Sequence, residues 1–154
     1  MIVATSAVIA ILRQEPEAER FATVLEKDTA PKMSTASYVE ASVVVFAARD
    51  VRVRRELDLL LSTVGIALIP VTVQQAKIAS EAYRDFGRSS GHPARLHFGD
   101  CFSYALAKVW ESPFCSKVQI SDLRTSMQLP CEQLVKSHTP ESDHQLRYLT
   151  GHAP

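Results

Sequence analysis

The stretch MIVATSAVIAILRQEPEAER, residues 1–20, sets an apolar pair, Ile2-Val3, ahead of Thr5-Ser6 and a second apolar run from Ala7 to Leu12. The pair predicts a short buried strand, and the run predicts a helix packed on it. So short a joint puts Ala4 at the carboxyl end of the strand. In parallel α/β sheets that edge is where ligands bind, so a methyl group is the unexpected side chain there. Pro16 predicts a second helix start, with Glu17 and Glu19 in a first turn whose dipole favours acids. Phe21, Val24 and Leu25 form its core face.

The pattern then keeps switching period. PKMST (31–35) predicts a second strand, and SYVEASVVVFAARD (37–50) a buried helix with Tyr38, Ala41, Val45 and Ala48 on one face. RRELDLLLSTVG (54–65) is a further helix stopped by Gly65, and IALIPV (66–71) a third strand closed by Pro70. Thr72 caps a helix running through Tyr83. GRSSGHPARLHFG (87–99) is a polar, basic loop, and Gly99-Asp100 begins the helix DCFSYALAKVW. Strands alternating with helices imply an α/β fold with a central parallel sheet and helices on both faces.

Composition bounds the rest. A chain of 154 residues, 46% hydrophobic and 22% charged, fits one globular domain with a sizeable core. Zero formal net charge argues against a strongly basic nucleic-acid coat and leaves room only for a local patch. Cys101, Cys115 and Cys131 are odd in number and lack CxxC spacing, so they read as free thiols of a reducing compartment. The first apolar run is broken by Arg13 and Gln14 and has no basic segment before it, so neither a secretion signal nor a membrane span is expected, and a cytoplasmic location is.

Three segments point to the carboxyl edge of such a sheet, and they offer Ala4, Glu40 and Asp100. Two carboxylates meeting there can hold Mg²⁺ or Mn²⁺ through oxygen ligands and so activate water against a phosphodiester. The plainer alternatives are a solvated helix residue for Glu40 and a helix cap after glycine for Asp100. The residues alone leave the two readings about even.

MIVATSAVIAILRQEPEAERF (1–21), MSTASYVEA (33–41) and LHFGDCFSYALAK (96–108) resemble, in order and spacing, three signatures of PIN-domain ribonucleases, specifically VapC-type toxins. The resemblance implies an α/β/α sandwich, a Mg²⁺-dependent endoribonuclease acting on structured RNA, a homodimer, and inhibition by a small VapB-type antitoxin. Matched position by position, Glu40 and Asp100 fall on metal-coordinating catalytic acids and Ser6 on the polar residue beside the metal. Ala4 falls where the family has its first aspartate.

A second departure follows Lys108. The family continues with a glycine and then a GEPLLFKG-DF strand and turn that supplies a fourth acid; this chain reads VWESPFCSKVQISDLRTSMQ. An allowed coding of ESPFCSKVQIS (111–121), read two bases later, gives EPLLFKGSDF. Only wobble bases are free in that exercise, and they become the first bases of the shifted codons. One nucleotide missing in the codon of Trp110 accounts for the lost glycine and the changed text, so the chain from about residue 110 is expected to be out of frame. That divides it into a nuclease domain, 1–125, and an irregular tail, 126–154. Ile120 takes the position of the fourth acid, and Asp122, two residues on, is no replacement. His138, His144, His152, Cys131 and Asp143 are then chance composition, and Phe114, Ser116, Val118 and Ile120 the remnant of an edge strand.

Arg88, His92, Arg95 and His97 flank the acidic edge and are the candidates for RNA phosphate contact. Arg52, Arg54 and Arg55 read as a solvated helix face. Ile9, Leu12, Phe21, Val43 and Phe46 sit on helices that in the family meet the antitoxin or a second copy; taken singly, each is expected to pack in the core. Cys101 reads as a buried small hydrophobe. The competing function is a non-catalytic, antitoxin-binding decoy.

Overall fold

The computed structural model describes residues 1–47, 51–112 and 114–115. The irregular tail, Asp122, Ile120, and Ser116 and Val118 of the proposed edge strand lie outside these residues.

Strand β1 is Ile2–Val3, followed by helices α1 (Thr5–Leu12) and α2 (Ala18–Lys27). Strand β2 (Lys32–Ser34) runs into α3 (Thr35–Ala47), which is followed by α4 (Val51–Val64). Strand β3 (Ala67–Ile69), α5 (Val73–Phe86), α6 (Phe98–Trp110) and β4 (Phe114–Cys115) complete the order. The strands form one sheet ordered β3-β2-β1-β4, with every pair parallel. Of the expected edge strand, Phe114 and Cys115 form β4, opposite Ile2 and Val3.

Local signals explain most boundaries. Helix α1 starts at Thr5 rather than Ala7, because the extended backbone of Ala4 lets its carbonyl accept from the N–H groups of Ala7 and Val8. Pro16 lies in the turn before α2, and the helix itself begins at Ala18. Gly65 takes a positive φ of 73° just past α4, a conformation that glycine adopts without steric cost. Thr72 caps α5 in a reciprocal box: its hydroxyl accepts from Gln75 N–H at 3.1 Å, and Gln75 Oε1 accepts from Thr72 N–H at 3.0 Å. The helix runs on to Phe86, one turn past Tyr83.

Alternation along β1 divides the core into two layers. Val3 points into a cluster with Val8, Phe21, Leu25, Met33, Ala41, Val45 and Leu57, from α1 to α4 and β2. Ile2 and Ala4 point into the other, with Ala79, Ala82, Leu96, Cys101 and Leu106, from α5, α6 and the loop between them. The sheet is therefore covered on both faces, as an α/β/α sandwich requires. Among the described residues no helix is long and apolar enough to cross a membrane.

Candidate active site

Strand β1 pairs with β2 on one side and with the much later β4 on the other. That reversal of strand order opens a crevice at the carboxyl end of β1, and the residue there is Ala4. It is 0% exposed, its N–H donates to the Cys115 carbonyl at 3.0 Å, and no side chain caps α1. Its core neighbour Cys101 directly follows Asp100.

The two acids reach this edge from different helices. Asp100 is the third residue of α6 and only 5% exposed. Its Oδ2 accepts from the backbone N–H of His97 at 2.9 Å, so the carboxylate also caps the helix start. Burial pushes its pKa above the ordinary aspartate value; the His97 N–H opposes the rise, the charge of Glu40 adds to it, and the charges of His97 and Arg88 oppose it. Glu40, half-buried on α3, accepts from Gly99 N–H at 3.2 Å through Oε1. Its carboxylate occupies the space that a β-carbon on residue 99 would need.

Hydroxyl groups lock these helices together. Ser37 Oγ lies 2.9 Å from Ser103 Oγ and donates to the Gly99 carbonyl at 3.3 Å, while Thr5 Oγ1 donates to the Ser37 carbonyl at 3.0 Å. Ser37 has one proton, so Ser103 is the donor of that pair whenever Ser37 serves Gly99. The set ties the starts of α1 and α3 to α6. Sequence reasoning passed over Ser37 and Ser103 and read Gly99 only as a helix start, although each serine stands one helical turn from an acid, three before Glu40 and three after Asp100.

Of the other candidates, Ser6 is partly exposed in the first turn of α1. Gly87 and Leu96 pair across the base of the basic loop, which brings the backbone of Arg88 near that of Arg95; both side chains and His97 are exposed. His92 belongs to the loop's own structure. Its Nδ1 accepts from Ala94 N–H at 3.1 Å, and its ring meets Phe86 edge-on at 5.0 Å. Arg55 is exposed, as expected of a solvated face, whereas the side chains of Arg52 and Arg54 lie outside the described set. Ile9 and Phe21 are buried and Leu12 packs against their cluster, but Val43 and Phe46 are 62% and 52% exposed, which corrects the expectation of core packing. Helix α3 is apolar nearly all round, and the core covers only the Ala41–Val45 side.

Glu40 and Asp100 supply hard oxygen donors, the kind that Mg²⁺ and Mn²⁺ take. Among the described residues no third acid, histidine or cysteine joins them to make a group of three. The donor set thus fits such an ion in kind and falls short in number.

A parallel sandwich with two acids at the strand-order reversal defines a class, and comparison with known sequences identifies it: residues 1–113 match the PIN domain. The chain belongs to that family and, within it, is related to the VapC ribonucleases. It is 50% identical over 107 residues to Ribonuclease VapC28 of Mycobacterium tuberculosis, covering 70% of this chain and 80% of that one. Among solved structures, it resembles Mycobacterium tuberculosis VapC20, a sarcin–ricin-loop-cleaving toxin, with a TM-score of 0.56 at 17% identity, covering 73% of this chain and 85% of that one. It also resembles a toxin–antitoxin complex from Klebsiella pneumoniae, with a TM-score of 0.59 at 14% identity over 84% and 96% of the two chains.

Proposed function

We propose that this chain is a VapC-type toxin whose metal-dependent endoribonuclease is impaired. The observation that carries this is the convergence of Glu40 and Asp100 at the start of α6, with the methyl of Ala4 at the neighbouring strand end. Glu40 and Asp100 would hold Mg²⁺ or Mn²⁺, which when bound lowers the pKa of a coordinated water and stabilises charge on the departing oxygen of a phosphodiester. The chain's own part is to aim the two carboxylates, through the Gly99 and His97 N–H groups, and to steer the RNA backbone with Arg88, Arg95 and His97. Ser6 supports the site from the first turn of α1. With Ala4 and Ile120 in place of two acids, the negative charge that retains the ion is roughly halved.

The partners that fit are a structured RNA, a VapB-type antitoxin, which the likeness to a toxin–antitoxin complex supports, and a second copy of the chain, all in the cytoplasm. A decoy that binds antitoxin without cleaving is favoured by one observation of its own, the exposed Val39, Val43 and Phe46 of α3. Cleavage of total cellular RNA with Mg²⁺ or Mn²⁺ separates the two. Ala4→Asp alone and frame repair alone should each restore little. Their combination should give robust, EDTA-sensitive cleavage, lost again in Glu40→Gln or Asp100→Asn, because ligands of one ion act as a unit. A doubly repaired, folded protein that leaves the RNA uncut would overturn the nuclease function and leave the decoy.

A further inference from the structure

Phe98 is the first residue of α6, directly before the glycine that holds Glu40 and two residues before Asp100. An aromatic side chain at that point is 65% exposed, which leaves much of its apolar surface in water. Its ring meets Phe102 at 4.9 Å and 68°, an edge contact that fixes its tilt. Beside it a groove of about 250 Å³ opens between α5 and α6, lined by Ala79, Tyr83, Phe98, Cys101 and Phe102. That is below the ~300–1,000 Å³ of pockets enclosing drug-sized ligands and suits one flat ring. Cys101 in its wall lies near enough to Asp100 and Glu40 for their charges to act on its thiol. The exposed Arg88 and Arg95 stand at the base of the preceding loop, and Arg88 is near enough for its charge to act on Asp100.

An apolar, aromatic slot with the acid pair and the basic side chains of Arg88 and Arg95 in the same region matches a polynucleotide, whose phosphates attract cationic groups and whose bases stack on a ring. We propose that Phe98, backed by Phe102 and Tyr83, is the platform on which an unpaired nucleobase of the RNA stacks beside the scissile phosphate. Phe98 is thus a positioning residue that selects single-stranded or looped segments, since paired bases have no free face to offer. This rests on the ribonuclease function proposed above.

The test uses the full chain in EDTA, so that binding is read without cleavage. Fluorescence anisotropy follows a short labelled single-stranded oligoribonucleotide, the same strand made abasic, and the strand annealed to its complement. Phe98→Ala and Phe98→Leu should each weaken binding of the intact single strand roughly tenfold. Phe98→Trp should keep it, and none of the three should alter binding of the abasic or annealed strands. The dependence of affinity on salt should be unchanged at Phe98 and shallower in Arg88→Gln and Arg95→Gln. Parent-like binding by Phe98→Leu, alongside weakened arginine variants, would overturn the platform and leave RNA binding standing. Failure of the parent chain to bind any of the three probes would overturn the RNA function and the platform with it. Sedimentation showing that Phe98→Ala turns a dimer into a monomer, with affinity per protomer unchanged, would assign the groove to contact between copies and overturn the platform.

Discussion

The backbone N–H of Gly99 donates to Oε1 of Glu40 at 3.2 Å, and the carboxylate fills the place where any larger residue would carry its β-carbon. Gly99→Ala must therefore move Glu40 or the start of α6. The atoms in the way are the end of a flexible side chain, so the cost is that of the displaced hydrogen bond, about 0.5–1.5 kcal/mol, measurable by urea unfolding. Nearly all of that cost should disappear when Glu40→Ala is already present, because the obstructing atoms are then gone. An equal cost in both backgrounds would show that Glu40 is not what Gly99 accommodates.

Ala4→Asp should make stability depend on metal. The new side chain can cap α1, worth about 0.5–2 kcal/mol, but it buries a further negative charge in the crevice that Glu40 and Asp100 enter. In EDTA these effects should offset one another. Added Mn²⁺ should raise the melting temperature of Ala4→Asp by on the order of 5 °C and that of the parent far less. Equal shifts in scanning calorimetry would show that position 4 contributes nothing to the ion.

Asp100→Asn should stabilise the metal-free fold at neutral pH. Burial, opposed by the His97 N–H and reinforced by the charge of Glu40, raises the Asp100 pKa above 3.8. A carboxyl raised in the folded state contributes its stability below the unfolded value and loses it as pH climbs through the folded one. At pH 7 the ionised group is thus a cost, whereas asparagine keeps an oxygen for the His97 N–H. Chemical unfolding in EDTA should show the variant ahead of the parent at pH 7 and the gap closing toward pH 4. A less stable variant at pH 7 would refute this.

The thiol of Cys101 has the same sign at the alkaline end. Burial, with the charges of Asp100 and Glu40, pushes its pKa from 9.0 up to about 12. The fold keeps it protonated, so its contribution to stability is complete below pH 9 and is lost between pH 9 and about 12. At pH 8.5 peptide mapping after iodoacetamide should find Cys101 unmodified in the native chain and alkylated after denaturation. The stability gap between parent and Cys101→Ala should narrow above pH 9. Rapid native alkylation would contradict the burial.

Much of this was legible in the chain because it is written locally. Ile2-Val3, the Gly65 stop, the Thr72 cap and the order of strands and helices all depend on neighbours a few residues apart. What escaped sequence reasoning depends on residues brought together from distant segments. Gly99 matters because of Glu40, 59 positions away, and Ser37 because of Ser103, 66 positions away. The apolar run of α3 announces a helix, yet the same letters stand on its buried and open sides, so Val43 and Phe46 could not be told from Ala41 and Val45. Asp100 illustrates a third case, in which capping and metal binding were set against each other although one carboxylate has an oxygen for each.

Ala4 serves the fold through its main chain, whose N–H extends the ladder to Cys115 and whose carbonyl begins α1, while its small methyl packs in the apolar cluster of α5 and α6. Deleting a carboxylate from such a position leaves nothing broken that a later mutation would have to mend. The alanine codons GCT and GCC also stand a single base change from the aspartate codons GAT and GAC. Where either codon is used, the carboxylate at this position can be lost and regained in one mutational step, although in this chain activity also requires the repaired reading frame.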